Sequence, residues 1–439
     1  MKKSKFVKST LILIVGGFIT KILGMVIKII MTRLVGTEGI GIYMILSPTF
    51  MLLIALAQLG LPIAISKLVS EDKRNNKVLV ASAFPITIVV NILIIIFLFI
   101  FGKTLANNLL HEPRVYLGIL SIGFVLPFIS ISSIIRGYFF GKQKMFPHVI
   151  SNISEDIVRL IVLIVGIPIF LKYGIEVTIM FIVLSNIASE LTSIIIFFFF
   201  LPKKFKIRKE DIKPNKDNLR EILSISLPTT SSRIIGSIGY FLEPIILSFT
   251  LLLVGYSNDF IVNEYGVING YVMPLVLIPS FFTMAISQAL IPTLSYSYSN
   301  KQYDYSKKKI KQAILFSLII GIPSTIILVL FPSLLLKIVY NTTSGVNYIK
   351  VIAPICLFHY IQAPLSSSLQ AIGKVKQAMY GTLIAMFLRT LALFVFSLFK
   401  IGMWSLIIAT SINILFVTFY DMYNVKKAFQ MPALNSIHS

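Results

Sequence analysis

Twelve stretches of about 20 or more mostly apolar residues run through this sequence, at 9–34, 40–69, 78–101, 115–140, 148–171, 176–201, 221–254, 261–290, 310–336, 350–372, 377–398 and 401–423. A helix of about 20 residues crosses the ~30 Å hydrocarbon core of a bilayer. Helix is the conformation that satisfies its own backbone in lipid, where an open strand leaves N–H and C=O groups unpaired. A membrane β-barrel would alternate apolar and polar residues, whereas these runs are apolar on consecutive positions. The sequence therefore predicts an all-α polytopic membrane protein with 12 transmembrane helices.

Composition excludes the other classes. Of 439 residues, 56% are hydrophobic and 13% charged, and the mean hydropathy is +0.89. A soluble globule of this size needs more polar surface, and a disordered chain needs the opposite balance. A single cysteine excludes a disulfide framework. The first run is too long for a cleaved signal peptide and lacks a small-residue cleavage site.

Forty Lys and Arg against 17 Asp and Glu give a net charge of +23. In a soluble protein that excess would point to nucleic acid. Here it sorts by loop. With the N-terminus inside, 26 of the 40 fall in inner segments and six in outer ones. This is the positive-inside pattern, so the charge reports topology, both termini are expected in the cytoplasm, and no nucleic-acid partner is expected. The longest polar stretch, 203–220, divides the chain into a six-helix lobe (1–202), a basic cytoplasmic linker (203–220), a second six-helix lobe (221–425) and a cytoplasmic tail (426–439). Both lobes begin on the same side, so their repeat would be parallel. Three short matches fall in the same order in each: TKILG at 20–24 with SRIIG at 232–236, LPIAIS at 61–66 with FTMAIS at 282–287, and GKQK at 141–144 with GKVK at 373–376.

Eight Lys and Arg remain inside the spans. Lys67 and Arg136 lie near cytoplasmic helix ends, where snorkelling accounts for them. Arg33, near the outer end of the first helix, is open to the same reading. Lys21, Arg159, Arg233 and Arg389 lie deeper, roughly 16–20 Å from the inner surface at 1.5 Å per residue. Each costs ~2.5–3.5 kcal/mol on an insertion scale, so they are expected to face protein or water, not lipid. Gly17, Lys21, Gly24 and Lys28 form one stripe on the first helix. It is either a close helix contact through the glycines or the wall of a cavity; two lysines favour the cavity. The fifth helix carries Asn152, Glu155, Asp156 and Arg159, with Glu155 and Arg159 spaced to pair. The seventh carries a polar run, Thr229 to Ser232, then Ser237, Tyr240 and Glu243, which reads as cavity lining or as hydroxyls bonding back to helix carbonyls. Glu190 lies deep in the sixth helix. Glu155, Asp156, Glu190 and Glu243 are candidates for ion coupling. A midplane cavity with fixed cations suits an anionic headgroup such as a diphosphate, which Arg binds bidentately.

Three longer segments carry a family resemblance. GFITKILGMVIKIIMTRLVGTEGIGIYMILSPTF with LGLPIAISKLVSE, IRGYFFGKQKMFPHVISNISEDIVRL, and LPTTSSRIIGSIGYFLEPIIL with YGVINGYVMPLVLIPS resemble the stage V sporulation protein B family. That family belongs to the superfamily of multidrug, oligosaccharidyl-lipid and polysaccharide exporters, which includes lipid II flippases. The resemblance implies a V-shaped, MATE-like core of two lobes working by alternating access in the bacterial cytoplasmic membrane. It implies lipid-linked saccharide substrates, a role in cell-wall or spore-cortex assembly, and a glycan synthase as a working neighbour. Carried over, Lys21, Arg33, Arg159 and Arg233 would be cavity cations, with Glu155 beside them. Two departures stand out. Asp156 occupies the place where the family pattern has Gln, and the two further C-terminal helices of larger relatives do not follow the twelfth run.

Three functions compete: a flippase for an undecaprenyl-diphosphate-linked glycan, a cation-coupled multidrug exporter on the same fold, and a membrane glycosyltransferase or polymerase. The last would need a large outer loop or an acidic catalytic pair. The outer loops are short; His111 and Glu112 in one of them read as solvated. Cys356 reads as a small core residue. No metal-ligand spacing, phosphate loop or nucleophile–base arrangement is present, so neither enzymatic chemistry nor a cofactor is expected.

Overall fold

In the computed structural model the described residues are 2–71, 75–202 and 216–435, and they are almost wholly helical. Residues 203–215 of the expected linker and 436–439 of the expected tail lie outside them, as does the side chain of Ser232. The helices are α1 (Lys2–Gln58), α2 (Leu61–Glu71), α3 (Asn76–Thr104), α4 (Tyr116–Gly141), α5 (Met145–Phe170), α6 (Ile175–Phe200), α7 (Lys216–Leu253), α8 (Asn258–Gly266), α9 (Met273–Val276), α10 (Ser280–Ser299), α11 (Tyr303–Leu330), α12 (Pro332–Tyr340), α13 (Val346–Ala371), α14 (Val375–Ser397) and α15 (Trp404–Asn435). The chain divides into two compact units, Met1–Ile245 and Ile246–Ser439, with the division inside α7 beside Pro244.

These elements map onto the twelve apolar runs. The first run and most of the second are one continuous helix, α1, broken in direction at Gly36 (φ 73°, ψ −174°), a conformation that a side chain would strain. The second run is interrupted again at Leu59 and Gly60, and its end becomes α2. The eighth run is a pair of helices, Asn258–Val276 and Ser280–Ser299, bent by 52°. The ninth ends at Leu330, and the residues after it form the short α12. The fifth run, α5, is long enough to span but carries Glu155, Asp156 and Arg159 in its middle.

The burial pattern is inverted relative to a water-soluble protein. On α3, Thr87 and Asn91 are buried while Ile88, Val89, Ile92, Leu93 and Ile96 are exposed. Asn91 Nδ2 donates to the Thr87 carbonyl at 2.7 Å and to Ser130 Oγ of α4 at 3.1 Å. These polar side chains bond inward, and the apolar outer surface matches hydrocarbon.

Each unit has its own apolar core. In the first, Leu61, Ile65 and Leu68 of α2 pack on Ile134, Tyr138 and Phe139 of α4, with Phe197 of α6 and Ile222 of α7. Phe139 and Phe197 stack with centroids 5.3 Å apart. Gly137 and Gly141 bring α4 onto the backbone of α2: a Cβ at Gly137 would lie 2.8 Å from the Pro62 carbonyl oxygen, and one at Gly141 would lie 2.7 Å from that of Ser66. This is small-residue packing of the kind that brings membrane helices together. Gly137→Ala therefore forces backbone apart, and a loss of ~1–3 kcal/mol is expected. A lower melting temperature in detergent checks it; an unchanged one would mean that α2 moves aside freely. In the second unit, Leu290, Leu294, Ile310, Leu365, Leu369, Val425 and Phe429 form the corresponding core.

Candidate functional site

The stripe on α1 is open. A Cβ added at Gly17 or at Gly24 would meet no atom within 4 Å, and Lys21 between them is exposed. The helix contact is made instead by the adjacent Gly16, whose Cβ would lie 2.3 Å from Val149 of α5. So α1 uses one face to pack on α5 and leaves the Gly17–Lys21–Gly24 face uncovered within its unit. Lys28, one turn further, is half-buried, and Arg33 is exposed.

Glu155 pairs with Arg136 of α4, Nη2 to Oε2 at 3.5 Å, and not with Arg159 of its own helix. Arg136 is thus not a snorkelling residue. It reaches across to α5, and a contact between helices is beyond what spacing along one helix can show. Arg159 is half-buried, and its Nε is shielded without an acceptor among the described residues, as is Nε of Arg136. Asp156 is half-buried beside them. Glu190 of α6 is buried and accepts a hydrogen bond from Ser132 Oγ of α4 at 2.5 Å. Arg136, Arg159 and Glu155 lie within coulombic reach of it. Helices α4, α5 and α6 therefore bring two arginines and two glutamates into one polar cluster inside the first unit.

Arg233 of α7 is exposed, and its Nη2 donates to Gln58 Oε1, at the end of α1, at 3.0 Å. Around it the hydroxyls bond back to their own helix. Thr229 and Thr230 donate to the Ser226 carbonyl at 2.8 and 2.7 Å, Ser231 to Leu227 at 3.0 Å, and Ser237 to Arg233 at 3.0 Å. Glu243 is buried in α7. Arg389 is half-buried on α14 of the second unit. Ser132, Arg136 and Gln58 are the site residues missed by spacing arguments. Their one sequence signal is polarity inside an apolar run, and it does not name a partner.

Glu112 also differs from expectation. It is fully buried, and its carboxylate grips Arg114 through Oε1–Nε at 2.6 Å and Oε2–Nη2 at 2.8 Å. Arg114 in turn pairs with Glu38 of α1. The loop acid is a structural clamp, not a solvated group.

Repeated helical crossings with charged and polar groups held inside define a multi-pass membrane protein of the MATE-like transporter fold. An inward-facing multidrug resistance MATE family transporter of the MOP superfamily superposes with a TM-score of 0.72 at 14% identity, covering 94% of this chain and 95% of that one. The lipid II flippase MurJ in an inward closed conformation gives 0.71 at 20% identity, covering 96% and 90%.

The chain belongs to the polysaccharide biosynthesis protein family, whose pattern matches residues 6–298. The MatE family matches residues 237–395. Stage V sporulation protein B of Bacillus subtilis (strain 168) is 38% identical over 405 residues, covering 90% of this chain and 78% of that protein. Lipid II flippase MurJ of the same organism is 23% identical, covering 88% and 76%.

Proposed function

We propose that the protein is a flippase for an undecaprenyl-diphosphate-linked saccharide, a peptidoglycan precursor or a polysaccharide unit, in the bacterial cytoplasmic membrane. It would serve cell-wall or spore-cortex assembly with both termini in the cytoplasm. The observation that carries this reading is the open Gly17–Lys21–Gly24 face of α1, a cation flanked by two positions without side chains. Such a face admits a bulky anionic group and gives it a fixed countercharge, whereas a contact between helices would have closed on the glycines. Arg233, anchored through Gln58, adds a second exposed cation in the same unit. A diphosphate headgroup would bind there while the polyprenyl tail stays in lipid, and alternating access would present the headgroup outside. No covalent step is needed. The membrane potential, worth ~2.3 kcal/mol per charge per 100 mV, is one available driving force.

Native mass spectrometry of the detergent-purified protein with lipid II, and with undecaprenyl diphosphate alone, tests this. Lys21→Ala is expected to weaken lipid II binding about tenfold, a change of ~1.4 kcal/mol. Equal binding of undecaprenyl diphosphate would mean that the sugar is not read. Absence of binding by either lipid would assign the cations a structural role and favour the cation-coupled multidrug exporter, with the Glu190 cluster as its exchange site.

A further inference from the structure

The two units repeat one polar device. In the first, Glu190 of α6 accepts from Ser132 of α4. In the second, Asp421 of α15 accepts from Ser366 Oγ of α13 through Oδ2. The match is positional. Ile194 and Phe197, four and seven residues after Glu190, enter the first core, and Val425 and Ala428, four and seven after Asp421, enter the second. The helices that carry the serines enter the same cores, α4 through Ile134 and Tyr138 and α13 through Leu365 and Leu369. Counted back from the equivalent turns that follow α4 and α13, Ser366 lies opposite Arg136, one helical turn beyond Ser132.

Asp421 is more isolated than Glu190. The residue is 0% exposed, and its second oxygen, Oδ1, is shielded with no hydrogen-bond partner among the described residues. The titratable groups on the helices packed against it are Tyr348, Lys350, Cys356, His359 and Tyr360 of α13 and Lys376, Tyr380 and Arg389 of α14. On α15 itself they are Tyr420, Tyr423, Lys426 and Lys427. None of these is bonded to the Asp421 carboxyl, and His359 is engaged by Gln362 at 2.9 Å. An ionised carboxylate with one hydroxyl donor and no countercharge is expensive to bury. A metal cation would need a shell of oxygens that Asp421 and Ser366 do not supply. A proton needs one oxygen.

We propose that Asp421, positioned by Ser366, is a proton-binding site of the second unit, the counterpart of the Ser132–Glu190 pair in the first. It goes beyond the lipid-headgroup reading and does not depend on it, because the proton is read without any substrate.

The test is infrared spectroscopy of the full-length protein in nanodiscs at neutral pH, following the carboxylic-acid C=O band. Asp421→Asn is expected to remove one component of that band, and Glu190→Gln to leave that component in place. Ser366→Ala is expected to keep the component but move it to higher wavenumber, because the carbonyl loses a donor. A band unchanged in both Asp421→Asn and Ser366→Ala would overturn the proposal. If Asp421→Asn does not fold, the Ser366→Ala shift decides alone, in either direction.

Discussion

Arg233→Glu is expected to reduce lipid flipping to the background of empty vesicles while leaving the protein folded and inserted. The guanidinium is exposed and makes its side-chain bond to Gln58 at 3.0 Å, so no core packing is lost with it. A substitution at such a position changes stability by about 0.5 kcal/mol or less. The functional effect is far larger, because the change is two units of charge where an anionic headgroup is proposed to sit. Glutamate would also face Gln58, whose amide can turn its nitrogen toward it, so the local structure survives and repulsion of the ligand remains. Arg233→Lys separates charge from geometry: it keeps the cation but loses the planar fork that holds a phosphate through two bonds, and intermediate transport is expected. Reconstitution with fluorescent lipid II and a reductant that quenches the outer leaflet measures both variants. Wild-type transport by Arg233→Glu would remove Arg233 from the headgroup site.

The spans were legible in the sequence because lipid imposes one rule on every residue of a run, and the rule is local. Two corresponding turns were legible as well: GKQK falls between α4 and α5, and GKVK between α13 and α14. Partners were not. Glu155 has Arg159 one turn away, yet it pairs with Arg136, because α4 delivers that side chain from outside the helix. Arg136 sits near a helix end and so resembles a snorkelling residue until its neighbour is known. Asp421 gave no signal at all: five residues later the chain reads Lys426–Lys427, and an acid beside a basic helix end looks like ordinary interface charge. Its burial depends on Ser366, 55 residues away in sequence.

Glu112→Gln is expected to destabilise the protein by about 3 kcal/mol, the low end of the ~3–5 expected when one member of a buried ion pair is removed. The loop residue has 0% exposure. Besides the two bonds to the Arg114 guanidinium, its Oε1 accepts from the Arg114 backbone N–H at 3.2 Å, which caps the short turn leading into α4. Its own N–H donates to the Ala106 carbonyl at 2.9 Å. The carboxylate therefore fixes the turn that leads into α4, while the backbone of the same residue ties that turn to the segment that follows α3. Two facts keep the effect at the low end: Arg114 is 23% exposed, so water solvates part of the orphaned charge, and Glu38 remains as a partner. Glu38 itself is 57% exposed, and Glu38→Gln is expected to cost no more than ~1 kcal/mol, as surface pairs do. Pairing Glu112→Gln with Arg114→Met removes the orphaned guanidinium and should recover part of the loss. Denaturation in mixed micelles across the four proteins orders them. Equal stability of Glu112→Gln and Glu38→Gln would show that the buried bond contributes no more than the exposed one, and that the turn leading into α4 is held by its backbone bonds and apolar contacts instead.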